Sequence, residues 1–323
     1  MSQPIPAIFG RRILITGGAG FIGTHLAERL CKDNDLVLFD NYRRDSLSGL
    51  ALASHPRVKV VKGDILDPAS VAAAVAGVDT VLHLAAIAGV SSYYDMPLKT
   101  LQVNILGTVN LLEAAVKAGA KAFVHFSTSE VFGSNALNVT EEDPHGIGPT
   151  SDKRWVYATS KLAGENFTLR TGEQYGLHAV AVRPFNVYGP RQTGEGAISN
   201  FCRAALKGEP LTVYGDGGAI RAWCYVSDMV DAVLLALNTP AASCQSFNIG
   251  NPREAETTNG LARRVAALVP GSTITRKEIQ RSEVAVRIPR IDKARKILGF
   301  EPVVDLDEGL RNTLQWYRDG GLA

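Results

Sequence analysis

Tyr157 and Lys161 stand four residues apart in Tyr157-Ala158-Thr159-Ser160-Lys161, a spacing that on a helix sets both side chains on one face. A free phenol loses its proton near pH ~10, and a fixed ammonium beside it favours the phenolate. The pair therefore predicts a general base able to accept a proton from a hydroxyl near neutral pH. The same spacing also describes a packed ring beside a lysine whose stem lies along the surface, so the pair needs support from elsewhere. Ser127-Thr128-Ser129-Glu130 follows the apolar run Ala122 to Phe126. That places three hydroxyls and a carboxylate at the carboxyl end of a strand, where open parallel sheets bind ligands and where hydroxyls also cap the next turn.

A second group of residues reads as a nucleotide cradle. Arg12 to Thr16 is a short apolar run that stops at Gly17-Gly18-Ala19-Gly20-Phe21-Ile22-Gly23, and helical periodicity resumes from Thr24 to Leu30. In a strand, glycine turn and helix of this kind, Gly17, Gly20 and Gly23 permit the tight turn and the close approach of backbone N–H groups to a pyrophosphate. The strand Leu36 to Phe39 ends at Asp40-Asn41, 17 residues after Gly23, where a carboxylate can accept from the adenosine ribose. A carboxylate there repels a 2′-phosphate, so the expected cofactor is NAD. Arg43 and Arg44 just beyond could host a phosphate or could be plain loop arginines. Gly63-Asp64-Ile65 follows a third strand, with Asp64 a candidate for the adenine edge or for a capping role. Thr80 to Ala86 reads as a buried fourth strand whose small-residue exit, Leu84-Ala85-Ala86, lets backbone approach the cofactor, and His83 within it reads as a structural histidine.

These elements imply an α/β chain with a Rossmann-type, doubly wound parallel sheet. A long helix is expected from Pro97 to Gly119, carrying Asn104. A loop of 19 residues is expected from Asn135 to Lys153, then the Tyr157 helix and a strand from Ala179 to Arg183. After Pro184 the rhythm breaks into Gly- and Pro-rich sequence. The predicted organisation is a nucleotide-binding domain over 1–183, to which 224–250 returns, and a smaller mixed α/β substrate domain over 184–323 that is mostly helical from 257 to 319.

The composition fits one large or two modest globular domains: 323 residues, 46% apolar, with 34 basic against 32 acidic side chains. Charge this balanced gives no reason to expect nucleic acid or an anionic membrane as partner. Cys31, Cys202, Cys224 and Cys244 lack metal-ligand spacing, so neither disulfide nor metal is expected. The opening MSQPIPAIFG has no leader-like pattern, and no apolar run approaches membrane-spanning length, so a cytoplasmic location is expected.

Taken in order, GGAGFIG, Asp40, GDI, HLAA, STSE, YATSK and RPFNVYGPR resemble the extended short-chain dehydrogenase/reductases, in their NAD-dependent nucleotide-sugar epimerase/dehydratase branch. The resemblance implies tightly held NAD, a sugar-nucleotide substrate and a homodimer packed through helices. It implies that Tyr157 removes the C4 hydroxyl proton, that Lys161 lowers its pKa and binds the nicotinamide ribose, and that Thr128 hydrogen-bonds the reacting oxygen. It also implies that Asn186, Arg221 and Arg287 hold the sugar diphosphate. Sugar 4,6-dehydratases carry Asp-Glu after this threonine, whereas Ser129 precedes Glu130 here. Thr-Ser-Glu is similar instead to the UDP-glucuronate decarboxylases, as are AIAGVSSYYDMPL, KRWVYATSK and VRIPRIDKA. That likeness implies a substrate contact at Tyr93 and an essential arginine at Arg287; for decarboxylation, Glu130 is the candidate acid that protonates C5, with Arg287 and Arg191 to orient an acidic sugar. The expected activity is decarboxylation of a UDP-hexuronate, with UDP-sugar 4-epimerisation as the alternative and 4,6-dehydration behind both.

Overall fold

In the computed structural model, residues 7–278 and 284–321 are described. Residues 1–6 of the amino-terminal stretch and 279–283 of the carboxyl-terminal region expected to be helical lie outside them. The framework is a seven-stranded parallel sheet in the order Gln245–Ile249, His178–Pro184, Ala122–Phe126, Thr80–His83, Arg12–Thr16, Asp35–Asp40, Val58–Lys62. Its inner strands are apolar on both faces because helices cover both. Ile13, Leu14 and Ile15 are fully buried, and every residue of Ala122–Phe126 is buried, the pattern that a two-sided parallel sheet requires. The strand Gln245–Ile249 joins the edge beside His178–Pro184.

Local chemistry sets the helix ends that matter to the site. The helix Phe21–Leu30 starts straight from the glycine turn. Asp67 accepts from the Ala69 N–H and Pro68 opens the helix Pro68–Val75, an acceptor cap followed by the residue that needs no hydrogen bond there. The helix Val156–Tyr175, which carries Tyr157 and Lys161, stops at Gly176 in the left-handed region (φ +69°). The helix expected from Pro97 to Gly119 is interrupted by a π turn at Gln102–Leu106, between Pro97–Leu101 and Gly107–Ala118. Asn104 lies in that turn. Its side chain takes the Ile87 N–H (2.8 Å) and donates to the Ile87 carbonyl (3.1 Å) and to Ser160 Oγ (2.9 Å). The bulge thus ties the exit of the fourth strand to the Tyr157 helix, a use of π turns seen near functional sites.

Two expectations are corrected. Residues 135–153 are not all loop, because Asn135–Val139 is a strand, and 257–319 contains the strands Ile274–Lys277 and Val286–Pro289 between its helices. The three are short, and their partners lie far away in sequence. Val286–Pro289 runs between Asn135–Val139 and Ile220–Ala222, with Ala255–Thr257 on the far side, and Ile274–Lys277 pairs with Leu211–Tyr214. Pairing across such separations leaves little local periodicity to read. The carboxyl-terminal part packs its own core around Phe201, Leu261 and Leu310. Among the described residues no helix is long and apolar enough to cross a membrane.

Candidate active site

A cavity of about 550 Å³ opens at the carboxyl ends of the parallel strands. Its floor is the glycine turn. Gly17 has φ +70°, and a Cβ there would lie 2.8 Å from the Ala85 nitrogen; a Cβ on Gly23 would lie 2.3 Å from the Gly17 carbonyl oxygen. Only hydrogen fits at either position, which leaves backbone exposed for a pyrophosphate. Gly20, Phe21, Ile22, Asp40, Asn41, Asp64, Ile65, Leu84, Ala85 and Ala86 line the same space. The Asp40 carboxylate takes the Ala19 N–H (3.0 Å) and the Tyr42 N–H (2.8 Å), and burial holds its pKa above the usual carboxylate value. The Asn41 N–H adds to these contacts, and the carboxylate keeps lone-pair capacity for a ribose. Asp64 accepts from the Leu66 N–H (2.9 Å), closing its own turn, while the helix cap is Asp67. His83 is buried between Thr16 (2.8 Å) and Thr108 (2.9 Å) and is structural. The cradle fits a dinucleotide.

Tyr157, Lys161, Thr128, Ser129 and Glu130 line the other half of the cavity. Thr128 serves twice: its oxygen caps the turn Ser129–Phe132 by accepting from the Glu130 N–H, and its hydroxyl bonds to the Tyr157 phenol. The expected lowering of the phenol pKa is reversed. Burial raises it, the Glu130 charge adds to the rise, and the Thr128 bond with the Arg44 and Arg287 charges works against it. Lys161 is itself buried, and loss of hydration brings its pKa down to about 7 against the opposing pull of Glu165. A lysine partly neutral at pH 7 is a weaker cation for the phenol than the spacing alone implies.

Glu130 sits between two buried guanidinium groups. Arg154 Nη2 lies 3.3 Å from both of its oxygens, and Arg287 Nη1 lies 3.4 Å from Oε1. Arg287 lines the cavity, and its Nε and Nη2 are buried without a hydrogen-bond partner. Arg154 is a participant the sequence reading missed. Its Nη1 donates to the Tyr93 hydroxyl, and its only local signal is its place three residues before Tyr157. Tyr93 lies behind the cavity wall, 1% exposed, with its ring stacked on Tyr157. Asn186 lines the cavity and donates to the Ala222 carbonyl (3.3 Å).

Like Tyr93, two further expected site residues, Arg191 and Arg221, do not line the cavity. Arg191 turns to Glu28 on the helix Phe21–Leu30, 2.9 Å away. Arg221 is in register with Arg287 on the neighbouring strand, but its guanidinium donates to the carbonyls of Ile220 (2.9 Å) and Val284 (2.7 Å). Arg191 is held through Nη2 alone, its Nε and Nη1 buried without a hydrogen-bond partner, while backbone carbonyls hold Arg221.

Residues 13–250 match the NAD dependent epimerase/dehydratase family. The chain belongs to that family. It is accordingly an NAD-dependent enzyme. It is 36% identical to a UDP-N-acetyl-alpha-D-glucosaminuronate decarboxylase of Bacillus cytotoxicus, over 96% of this chain and 98% of that protein. It is 37% identical to UDP-glucuronic acid decarboxylase 3 of Arabidopsis thaliana, over 93% and 86%. Among solved structures it is similar to a UDP-glucuronic acid 4-epimerase of Bacillus cereus, a tyrosine-to-phenylalanine variant in complex with UDP-4-deoxy-4-fluoro-glucuronic acid and NAD. There the TM-score is 0.85 at 28% identity, covering 95% of this chain and 99% of that one.

Proposed function

We propose that this epimerase/dehydratase-family enzyme decarboxylates a UDP-hexuronate, UDP-glucuronate being the substrate of choice. The observation that carries the reading is the Glu130 carboxylate set between Arg154 and Arg287 next to Tyr157, with Arg287 presenting unpartnered buried donors to the cavity. A guanidinium with free donors is suited to an acidic sugar or its diphosphate.

Gly17, Gly20, Gly23 and Asp40 would hold NAD, which supplies the acceptor for the C4 hydride and returns it, so that the reaction is redox-neutral. Tyr157 takes the proton of the C4 hydroxyl, and Thr128 hydrogen-bonds the same oxygen. In the resulting 4-keto hexuronate the C6 carboxylate is β to the ketone. The C5–C6 bond then breaks, carbon dioxide leaves, and the electron pair passes into an enolate whose oxygen rests on Tyr157 and Thr128. A proton drawn from solvent passes through Glu130 to C5, giving the 4-keto pentose and, once reduced, the UDP-pentose. Ser129, where dehydratases carry aspartate, leaves the site without the extra acid that loss of a C6 hydroxyl requires.

The similarity to a UDP-glucuronic acid 4-epimerase structure keeps 4-epimerisation as the second reading. The deciding experiment supplies UDP-glucuronate labelled with ¹³C at C6. Labelled carbon dioxide with a UDP-pentose or its 4-keto precursor, suppressed in Glu130→Gln, supports decarboxylation. UDP-galacturonate retaining the label would assign the epimerase reaction instead. A cytoplasmic homodimer belongs to the same reading, supported by the exposed Leu98, Leu106 and Phe167 on helices that pack side by side.

A further inference from the structure

Arg43 and Arg44 stand just past the Asp40 carboxylate, and neither handles a reacting atom in the steps derived above. In the structure each crosses to another loop. Arg44 Nη2 donates to the Ala88 carbonyl (2.9 Å), and Arg43 Nη2 donates to Ser92 Oγ (3.0 Å). The Arg44 guanidinium lies between two glycines from different loops, both with φ in the left-handed region. A Cβ on Gly89 (φ +100°) would lie 2.6 Å from Arg44 Nη2, and one on Gly194 (φ +83°) would lie 2.9 Å from Cζ and Nε. Glu195 completes the join, both of its oxygens 3.1 Å from the Ser91 N–H. Ser46, in the arginine loop, donates its hydroxyl to the Arg191 carbonyl (2.8 Å) and its N–H to the Ala19 carbonyl in the glycine turn (2.7 Å).

Three loops that follow the strands Asp35–Asp40, Thr80–His83 and Val187–Tyr188 are thus pinned to one another. Arg43, Arg44, Gly89, Thr193 and Glu195 all line the cavity that contains the glycine turn and Asp40. We propose that Arg44, seated between Gly89 and Gly194 and backed by the Glu195–Ser91 bond, is a clasp that closes over the dinucleotide and sets how fast it enters and leaves. A cofactor that is reduced and reoxidised within one turnover has no need to exchange between turnovers, so a device that slows exchange costs the reaction nothing. Loop contacts of this kind act on both directions of exchange, whereas a direct contact to the bound cofactor acts mainly on its departure.

The test is stopped-flow binding of NADH to the full-length protein, followed by displacement with excess NAD. For Arg44→Ala and for Glu195→Gln, association and dissociation should both accelerate, by about tenfold for the loss of one charge-assisted hydrogen bond. Gly194→Ala, which keeps the arginine but fills its seat, should do the same. Arg44→Lys, which keeps the charge without the planar fork, should fall between. Unchanged rates in Arg44→Ala would overturn the proposal. So would faster dissociation in that variant with normal association and normal rates in Gly194→Ala, because Arg44 would then be an ordinary cofactor ligand. Should Arg44→Ala fail to fold, the same two rates in Glu195→Gln and Gly194→Ala decide the matter.

Discussion

The ring of Tyr93 stacks on the ring of Tyr157, centroids 5.8 Å apart and planes within 12°, so the residue expected to touch substrate braces Tyr157 from behind. Tyr93 is 1% exposed and its hydroxyl receives the Arg154 guanidinium. Tyr93→Ala should cost roughly 3–5 kcal/mol by opening a cavity against the Tyr157 ring, and turnover should fall with it. Tyr93→Phe keeps the stack and removes only the acceptor for Arg154, a cost of about 1–3 kcal/mol. Urea unfolding of the two variants measures the difference. Equal destabilisation would mean that the stack contributes nothing.

Tyr157→Phe should lower turnover on the order of a hundredfold or more, the usual scale for removing a general base. NADH binding should persist, because the glycine turn and Asp40 are untouched. Turnover within a few fold of wild type would remove Tyr157 from the role.

The parts of the site that were legible in the sequence are those set by neighbours in the chain. The glycine turn, Asp40, the Thr128–Glu130 run and the Tyr157–Lys161 pair each depend on a few consecutive residues and on the strand or helix that carries them. Arg154 was not legible, because its partners Glu130 and Tyr93 lie 24 and 61 residues away, and an arginine before a helix reads as a surface charge. Distance in sequence also hid the strand Val286–Pro289, which has Arg287 as its second residue. Arg191 and Arg221 show what a motif leaves out: it names a ligand candidate but not that Glu28 holds one end of Arg191 and two backbone carbonyls hold Arg221. The phenol pKa went astray because spacing reports which charges are near and says nothing of the lost hydration that dominates.

Lys161 should leave a mark on stability against pH. Its pKa is about 7 in the fold, lowered by burial, against an ordinary lysine value of 10.5. Between those values the unfolded chain binds the extra proton, so this group makes the cofactor-free protein more stable as pH rises from about 7, and the gain is lost as pH falls back towards 7. The buried cysteines Cys202 and Cys224, raised by burial, oppose this only where an unfolded thiol ionises, so pH 7 to 8.5 is the useful window. Urea midpoints of wild type minus those of Lys161→Met should slope upward across it, and a flat difference would refute the lowered pKa. In Glu165→Gln, which removes the charge that opposes burial, the rise should begin at lower pH.

Glu130 is the counter-charge that lets Arg154 and Arg287 share one buried site, their side chains 7% and 6% exposed. Burial lowers the Arg287 pKa, Glu130 partly offsets this and Arg154 depresses it further. Removing the carboxylate therefore leaves two buried like charges facing each other, and Glu130→Ala should destabilise by roughly 3–5 kcal/mol, the scale for breaking one side of a buried pair. Glu130→Ala with Arg154→Met should recover part of that loss, since the second change removes the repulsion the first creates. The unfolding free energies of the two single variants and the double variant test this as a cycle. Strict additivity would mean that Glu130 and Arg154 do not act as a unit, and Glu130 would then have to hold its place through Arg287 alone.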